Sequence, residues 1–357
     1  MANQGLQETE KIRTLVVDDS FFMRTLISDM LNSDPEIEVV DTAKNGDAAL
    51  EKTITLRPDV VTLDYLMPGR NGLSTIGNIM NASPTPIVML SAYTEKGAVT
   101  TLECLEAGAV DFVSKPSYEV SLDIEKIRDE LIEKVKKASK MDILKIRSIL
   151  TRERIKQFIE PSTPVQDRVI VIGASTGGPQ VLERILSELP HNLPAVVLVV
   201  QHMPAEFTGP MAKRFDQMSE VVIKEAEDGD LLELGRVYVA PGDFHMTVER
   251  EEMDSEGKVV VRLNRGPLVH GLRPSIDVTM KSVSEVYGRN AVGILLTGMG
   301  EDGVEGMRAI KGAEGMTIAQ DEATSLIFGM PRRAIEEGSV DKVLPVFEVS
   351  QEIIRLL

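Results

Sequence analysis

Cys104 is the only cysteine among 357 residues, so no internal disulfide can form and a metal site built on several thiolates is excluded. This fits a chain working in a reducing cytoplasm. The opening stretch, MANQGLQETEKIR, lacks the apolar segment of a leader, and no apolar run approaches the roughly 18 residues of a membrane span. A cytoplasmic chain with no direct membrane insertion is expected. Positive charge is also in short supply, because 39 Lys and Arg face 56 Asp and Glu, a formal net charge of −17. Such a surface repels a phosphate backbone, so no nucleic acid is expected as a partner. The sequence has no paired C-x-x-C motif, no repeat of solenoid period and no low-complexity tract. Histidine is scarce as well, occurring only as His191, His202, His245 and His270.

The remainder is ordinary for a folded protein, at 43% hydrophobic and 27% charged residues. The length exceeds what a single core usually supports, so two domains are expected. TLVVDD, EVVDTA, DVVTLD, PIVMLSA and AVDFVSKP read as buried strands separated by amphipathic helical stretches, a βαβ series that builds a parallel sheet. After Tyr118 the strands stop, and residues 121 to about 157 carry helical periodicity with many charges. Residues 126–156 contain eleven Lys or Arg against five Asp or Glu. That stretch reads either as a solvated helical linker or as a surface that attracts an acidic partner. EPSTPVQD then breaks the pattern in the manner of a linker, and a second alternating series starts at Arg168.

The first series places carboxylates at strand ends. Asp18 and Asp19 close its first strand and Asp64 its third, and in an open parallel sheet such ends meet at the carboxyl edge. Three carboxylates together repel unless a cation joins them, and an all-oxygen ligand set favours Mg²⁺. Ser91 and Lys115 add a hydroxyl and an ammonium to the same rim. The simpler alternative is that Asp18 or Asp19 caps the following helix. LVVDDS, LDYLMPGRNG, MLSA and DFVSKP, in that order, resemble the receiver domain of response regulators. The resemblance implies a flavodoxin-like fold with strand order 2-1-3-4-5. It also implies Mg²⁺ held by Asp18, Asp19, Asp64 and the main chain near Leu66, phosphotransfer from a histidine kinase to Asp64, and sensing of the phosphate by Ser91, Phe112 and Lys115.

In the second series, GASTGG within VIVIGASTGGPQVLERIL reads either as a glycine loop around a cofactor phosphate or as a turn carrying a nucleophile, Ser175. A dinucleotide site needs an acid at the end of the next strand, but AVVLVVQH ends in Gln201 and His202. No tyrosine has a lysine four residues on, as the looser short-chain dehydrogenase pattern requires. A nucleophile at Ser175 gains from His202, which follows the neighbouring strand and is a candidate general base. Asp302, in LLTGMGEDG, is the candidate orienting acid. Glu301 is the alternative acid, and a plain helix cap is the alternative role for Asp302. An N–H near Met299 and the positive end of the helix starting near Pro179 can face a developing oxyanion. GASTG also fits the G-x-S-x-G elbow of α/β-hydrolases, but that fold orders its triad Ser, acid, His, and no histidine follows His270.

GASTGG, QHMP, APGDFHM, RPSIDV, LLTGMGEDG and AQDEATSLIFGMPR together resemble the catalytic domain of the CheB family of chemotaxis methylesterases. The resemblance implies a doubly wound, mostly parallel α/β esterase domain that needs no cofactor. Its triad would be Ser175, His202 and Asp302, with Thr176 and Met299 lining the site. It implies phosphorylation-regulated hydrolysis of glutamate methyl esters, and deamidation of glutamine, on chemoreceptor signalling helices during chemotaxis adaptation. The expected organisation is a receiver over residues 11–135, a charged helical linker over 136–166 and a catalytic domain over 167–357.

Overall fold

Strands covered by helices on both faces need no polar side, and this accounts for the near-continuous apolar runs of both series. A computed structural model describes residues 10–67, 71–91, 95–115, 124–145, 168–251 and 258–357. The chain forms two compact units, Met1–Leu144 and Lys145–Leu357.

The first unit runs β1 (Ile12–Val17), α1 (Phe21–Asn32), β2 (Ile37–Ala43), α2 (Gly46–Leu56), β3 (Val60–Asp64), α3 (Gly72–Ala82), β4 (Ile87–Ser91), α4 (Glu95–Glu106), β5 (Asp111–Ser114) and α5 (Ile124–Ala138). Its sheet has the order β2-β1-β3-β4-β5 and every pairing is parallel, which is the flavodoxin-like arrangement expected. The chain moves outward in opposite directions from β1, so the carboxyl ends of β1 and β3 flank a crevice. Ser20, Asn45 and Asn71 cap α1, α2 and α3 with their side chains. The last turn of α5 carries the unit past residue 135, because Val135 and Ala138 are fully buried. In this turn Lys136 pairs with Asp34 at 2.8 Å, Lys134 with Asp111 and Glu130, and Lys137 with Glu133. These three cations of the basic stretch therefore meet acids of their own unit. The rest of that stretch beyond Lys145, together with EPSTPVQD, lies outside the described residues.

The second unit runs β6 (Arg168–Ala174), α6 (Gly178–Ser187), β7 (Ala195–Gln201), α7 (Ala205–Met218), β8 (Val222–Glu225), β9 (Arg236–Val239), β10 (His245–Arg250), β11 (Val259–Asn264), α8 (Ile276–Tyr287), β12 (Ala291–Leu295), α9 (Val304–Gly312), β13 (Met316–Gln320), α10 (Met330–Glu336), β14 (Lys342–Leu344) and α11 (Val346–Arg355). Its seven-stranded sheet has the order β14-β13-β12-β6-β7-β9-β8, again parallel throughout. β6 lies between β7 and β12, the point at which the strand order reverses. Among the described residues the one antiparallel strand pair is the β10–β11 hairpin, which the alternating pattern does not foretell, and isolated antiparallel bridges join Leu231 to Val260 and Val269 to Leu272. The hairpin packs on α8, whose Thr279 hydroxyl donates to Met246 O at 2.7 Å, while Val248 N donates to Ser282 Oγ. Met246, Val248, Val261, Met280 and Val283 share the buried core beneath it. Among the described residues no helix is long and apolar enough to cross a membrane.

Candidate active site and phosphoacceptor site

Parallel pairing sets Ala174 beside Gln201, so Ser175 and His202 are the next residues on adjoining strand ends. His202 N donates to Ala174 O at 3.1 Å, and Ser175 N donates to Thr297 O, just past β12. Gln201, which sequence reasoning passed over, ties the two ends together by donating its amide to Ser175 O and His202 O at 2.9 and 3.1 Å. The glycines of GASTGG serve this packing. A Cβ on Gly178 would stand 1.9 Å from Gln201 Oε1, and Gly177 has φ +76°, where α6 starts without a side-chain cap.

His202 Nε2 lies 2.7 Å from Asp302 Oδ2, with both side chains buried. A carboxylate only accepts, so Nε2 carries the hydrogen and the lone pair of the neutral ring sits on Nδ1. Ser175 is half-buried, and among the described residues no hydrogen bond joins its Oγ to His202. Asp302 does not cap the helix that follows it; the cap position of α9 is Gly303. Its carboxylate instead reaches α8, accepting from Ser275 Oγ and Ile276 N at 2.7 Å and from Asp277 N at 3.1 Å. Burial pushes the Asp302 carboxyl up, but the His202 hydrogen bond and charge, with those from Ser275 and Ile276, outweigh it and hold the group below the ordinary carboxylate range. Glu301 turns away, its carboxylate 3.5 Å from His270 Nδ1. His245 is buried with Nε2 on Pro267 O, and His191 lies exposed in a turn.

The loop after β12 approaches Ser175 closely enough that a Cβ on Gly298 would meet Ser175 Cβ at 2.7 Å. Gly298 N is taken by Ile327 O, and the Thr297 hydroxyl donates to Thr176 O. Thr176 is buried, and the Met299 side chain is half exposed beside them.

In the first unit, carboxylate oxygens of Asp18, Asp19 and Asp64 lie within 4.8 Å of one another. Asp18 and Asp64 are buried, and Lys115 Nζ bridges them at 2.6 and 2.9 Å. Asp18 also accepts from Ser20 N, and it is the Ser20 side chain that caps α1, so neither aspartate serves as the helix cap. Burial raises the Asp64 carboxyl above the ordinary range; the Lys115 charge and hydrogen bond oppose this, and the Asp18 charge adds to it. One ammonium thus faces three carboxylates, and an all-oxygen set left with excess negative charge fits a hard divalent cation. Ser91 is buried and accepts from the Thr101 hydroxyl at 2.7 Å, and Lys115 N donates to Ser91 O. The Phe112 ring is buried, 4.8 Å from Lys134 Nζ. Leu66 is exposed beside Asp64, whose carboxylate its backbone N–H supports.

Comparison with known proteins agrees over both units. The CheB methylesterase family model matches residues 170–353 and the response regulator receiver domain model residues 14–126. The protein-glutamate methylesterase/protein-glutamine glutaminase of Pyrococcus abyssi is 48% identical over 97% of this chain and 93% of its own. Those of Archaeoglobus fulgidus and Thermotoga maritima are 46% and 42% identical, each over 97% of this chain and 98% of theirs. The crystal structure of the Thermotoga maritima CheB methylesterase catalytic domain covers 54% of this chain and 100% of its own at 42% identity, with a TM-score of 0.52. A receiver sheet in the expected strand order, a second parallel sheet, these family matches and near full-length relatives lead to one conclusion: the chain belongs to the CheB methylesterase family and carries a response regulator receiver domain before its catalytic domain.

Proposed function

We propose that the chain is a phosphorylation-regulated protein-glutamate methylesterase and protein-glutamine glutaminase, acting in the cytoplasm on chemoreceptor signalling helices during chemotaxis adaptation. Ser175 is its nucleophile, His202 its general base and Asp302 its orienting acid. The observation that carries this reading is the buried 2.7 Å hydrogen bond from His202 to Asp302, beside the strand end that bears Ser175.

The residues then perform ordinary acyl transfer. Ser175 Oγ attacks the ester carbonyl carbon while His202 Nδ1 takes its proton, and Asp302 stabilises the imidazolium. The Met299 N–H and the first turn of α6 face the oxyanion. Collapse expels methanol with the proton from His202 and leaves a glutamyl ester on Ser175. Water, deprotonated by His202, attacks that ester; the carbon–oxygen bond to Ser175 breaks, and the proton returns to Ser175 as glutamate leaves. A glutamine substrate follows the same path with ammonia as the leaving group. No step in the esterase domain uses a cofactor.

Control lies in the receiver, residues 11–135 together with the last turn of α5, joined by the rest of the 136–166 segment as a linker to the catalytic domain, 167–357. Asp64 accepts a phosphoryl group from the histidine kinase of the chemotaxis system. Mg²⁺, held by Asp18, Asp19, Asp64 and the main chain near Leu66, would neutralise charge on that group. Lys115 releases its two carboxylates to pair with the phosphoryl oxygens, and Ser91 and Phe112 rearrange in response. Methanol release from methylated receptor, measured with and without a small phosphodonor, tests both halves. A Ser175→Ala chain that still releases methanol at the wild-type rate defeats the reading.

A further inference from the structure

Behind the pair formed by His202 and Asp302 stands a second buried acid, Asp277, which the reaction above does not use. We propose that Asp277, braced by His270, is a positioning residue that fixes the carboxylate plane of Asp302; the proposal rests on Asp302 being the orienting acid of the triad. Two helices exchange caps here. Asp302 accepts from Ile276 N and Asp277 N at the start of α8, while Asp277 Oδ1 accepts from Gly303 N at 3.0 Å and Gly306 N at 2.7 Å at the start of α9. Gly303, at φ +95°, has no side chain with which to cap α9, so Asp277 supplies the missing acceptor.

This reciprocity has a geometric consequence for His202. Only Asp302 Oδ2 faces the imidazole, and it keeps that place because Oδ1 is held by Ser275 Oγ and Asp277 N. The backbone just after Asp302 is held by the Asp277 carboxylate, and the side chain just before it, Glu301, makes a surface contact. His270 spans the two sides, with Nε2 3.2 Å from Asp277 Oδ2 and Nδ1 3.5 Å from Glu301 Oε1. Burial pushes the Asp277 carboxyl up, the Gly306 hydrogen bond opposes it, the Asp302 charge adds to it, and His270 and Lys281 oppose it. One ring nitrogen of His270 and one carboxylate oxygen each of Asp277 and Asp302 lie within 4.8 Å of one another, close enough to raise the question of a shared cation. Both carboxylates are already engaged by N–H and O–H donors, so the group reads as a bracing network.

The test uses the full-length chain and methanol release from methylated receptor. Asp277→Asn keeps an oxygen for Gly303 and Gly306 and removes the charge. The expected result is a kcat about tenfold lower with KM within about twofold, and no further loss when the change is made in an Asp302→Asn background. Wild-type kcat in Asp277→Asn, or the same tenfold loss in the Asp302→Asn background, overturns the proposal. Wild-type kcat in Asp302→Asn alone overturns the triad reading instead, which separates the two failures. Should Asp277→Asn not fold, His270→Asn takes its place in the same cycle, since it leaves every buried group intact and Asn suits the φ of +52° at that position. An approximately threefold loss of kcat that disappears in the Asp302→Asn background then supports the proposal, and wild-type kcat overturns it.

Discussion

His202 and Asp302, a hundred residues apart in the chain, meet through Nε2 and Oδ2 at 2.7 Å. In the familiar serine-protease triad the acid holds Nδ1 and the nucleophile faces Nε2. Here the acid occupies Nε2, so the ring nitrogen left with a lone pair is Nδ1, and on the proposed mechanism that is the nitrogen that takes the proton of Ser175. The reversal follows from where the groups start: His202 is the first residue past β7, Asp302 approaches from the loop after β12, and Ser175 sits at the end of β6 between those strands.

Ser175→Ala and His202→Ala are expected to lower kcat by about 10⁵-fold or more, and Asp302→Asn by about 10³- to 10⁴-fold. Each should still be phosphorylated at Asp64, since that site lies in the other compact unit. Methanol release and incorporation of labelled phosphate measure the two separately. Wild-type esterase activity in Asp302→Asn removes Asp302 from the triad.

The same substitution has a pH signature in stability. The Asp302 carboxyl is held below its ordinary value of 3.8, so its ionised form stabilises the fold at any pH above that value and loses the effect as pH falls through the lowered one. Asp302→Asn is therefore expected to cost about 1–3 kcal/mol at pH 7 and progressively less below about pH 4. Chemical unfolding of both proteins across pH 3–8 measures this, and a pH-independent difference contradicts it.

Gln201 and Gly178 form one contact. Gly178→Ala places a methyl group where Gln201 Oε1 now lies, and the buried clamp on Ser175 O and His202 O must shift. A stability loss of about 1–3 kcal/mol is expected, together with a drop in kcat of about tenfold or more. Gln201→Leu should lower kcat with a smaller loss of stability. Wild-type kinetics in both variants would show that the clamp does not position the site.

Chelation separates the two chemistries. If acyl transfer proceeds as proposed, without a metal, EDTA is expected to stop phosphorylation of Asp64 while leaving basal methanol release within about twofold. Asp64→Asn should keep the basal rate and lose stimulation by phosphodonor. A basal rate that collapses with EDTA contradicts the assignment of the metal to the receiver.

Cys104 is fully buried, and its thiol is pushed up to about 12, first by burial and then by the Glu103 charge. The thiolate is the reactive form, so the native chain is expected to resist alkylation even at pH 9 and to label promptly once unfolded. Rapid labelling under native conditions contradicts the buried placement.

Much of the scaffold was legible along the chain for a local reason. VIVIGA and AVVLVVQ are apolar from end to end because helices cover both faces of the sheet, and that same burial makes the pairing parallel and brings Ser175 and His202 to one edge. LVVDD and VVTLD announce the acid cluster in the same way, since a strand's last residue projects at the rim whatever surrounds it. The β10–β11 hairpin was not legible, because its alternation serves a face that α8 covers from another part of the chain.

The roles within the site had to await packing. Asp302 next to Gly303 reads as a cap for its own helix, yet its carboxylate caps α8 while Asp277 caps α9, an exchange between residues about 25 positions apart that no local pattern encodes. Which nitrogen of His202 meets the acid, why Glu301 turns to His270, and how Gln201 clamps two strand ends are likewise contacts between distant segments. Residue type and strand periodicity are written one position at a time; the direction of a buried side chain is set by whichever donors the rest of the fold delivers to it, because a buried polar group left unmatched costs more than the turn of a rotamer.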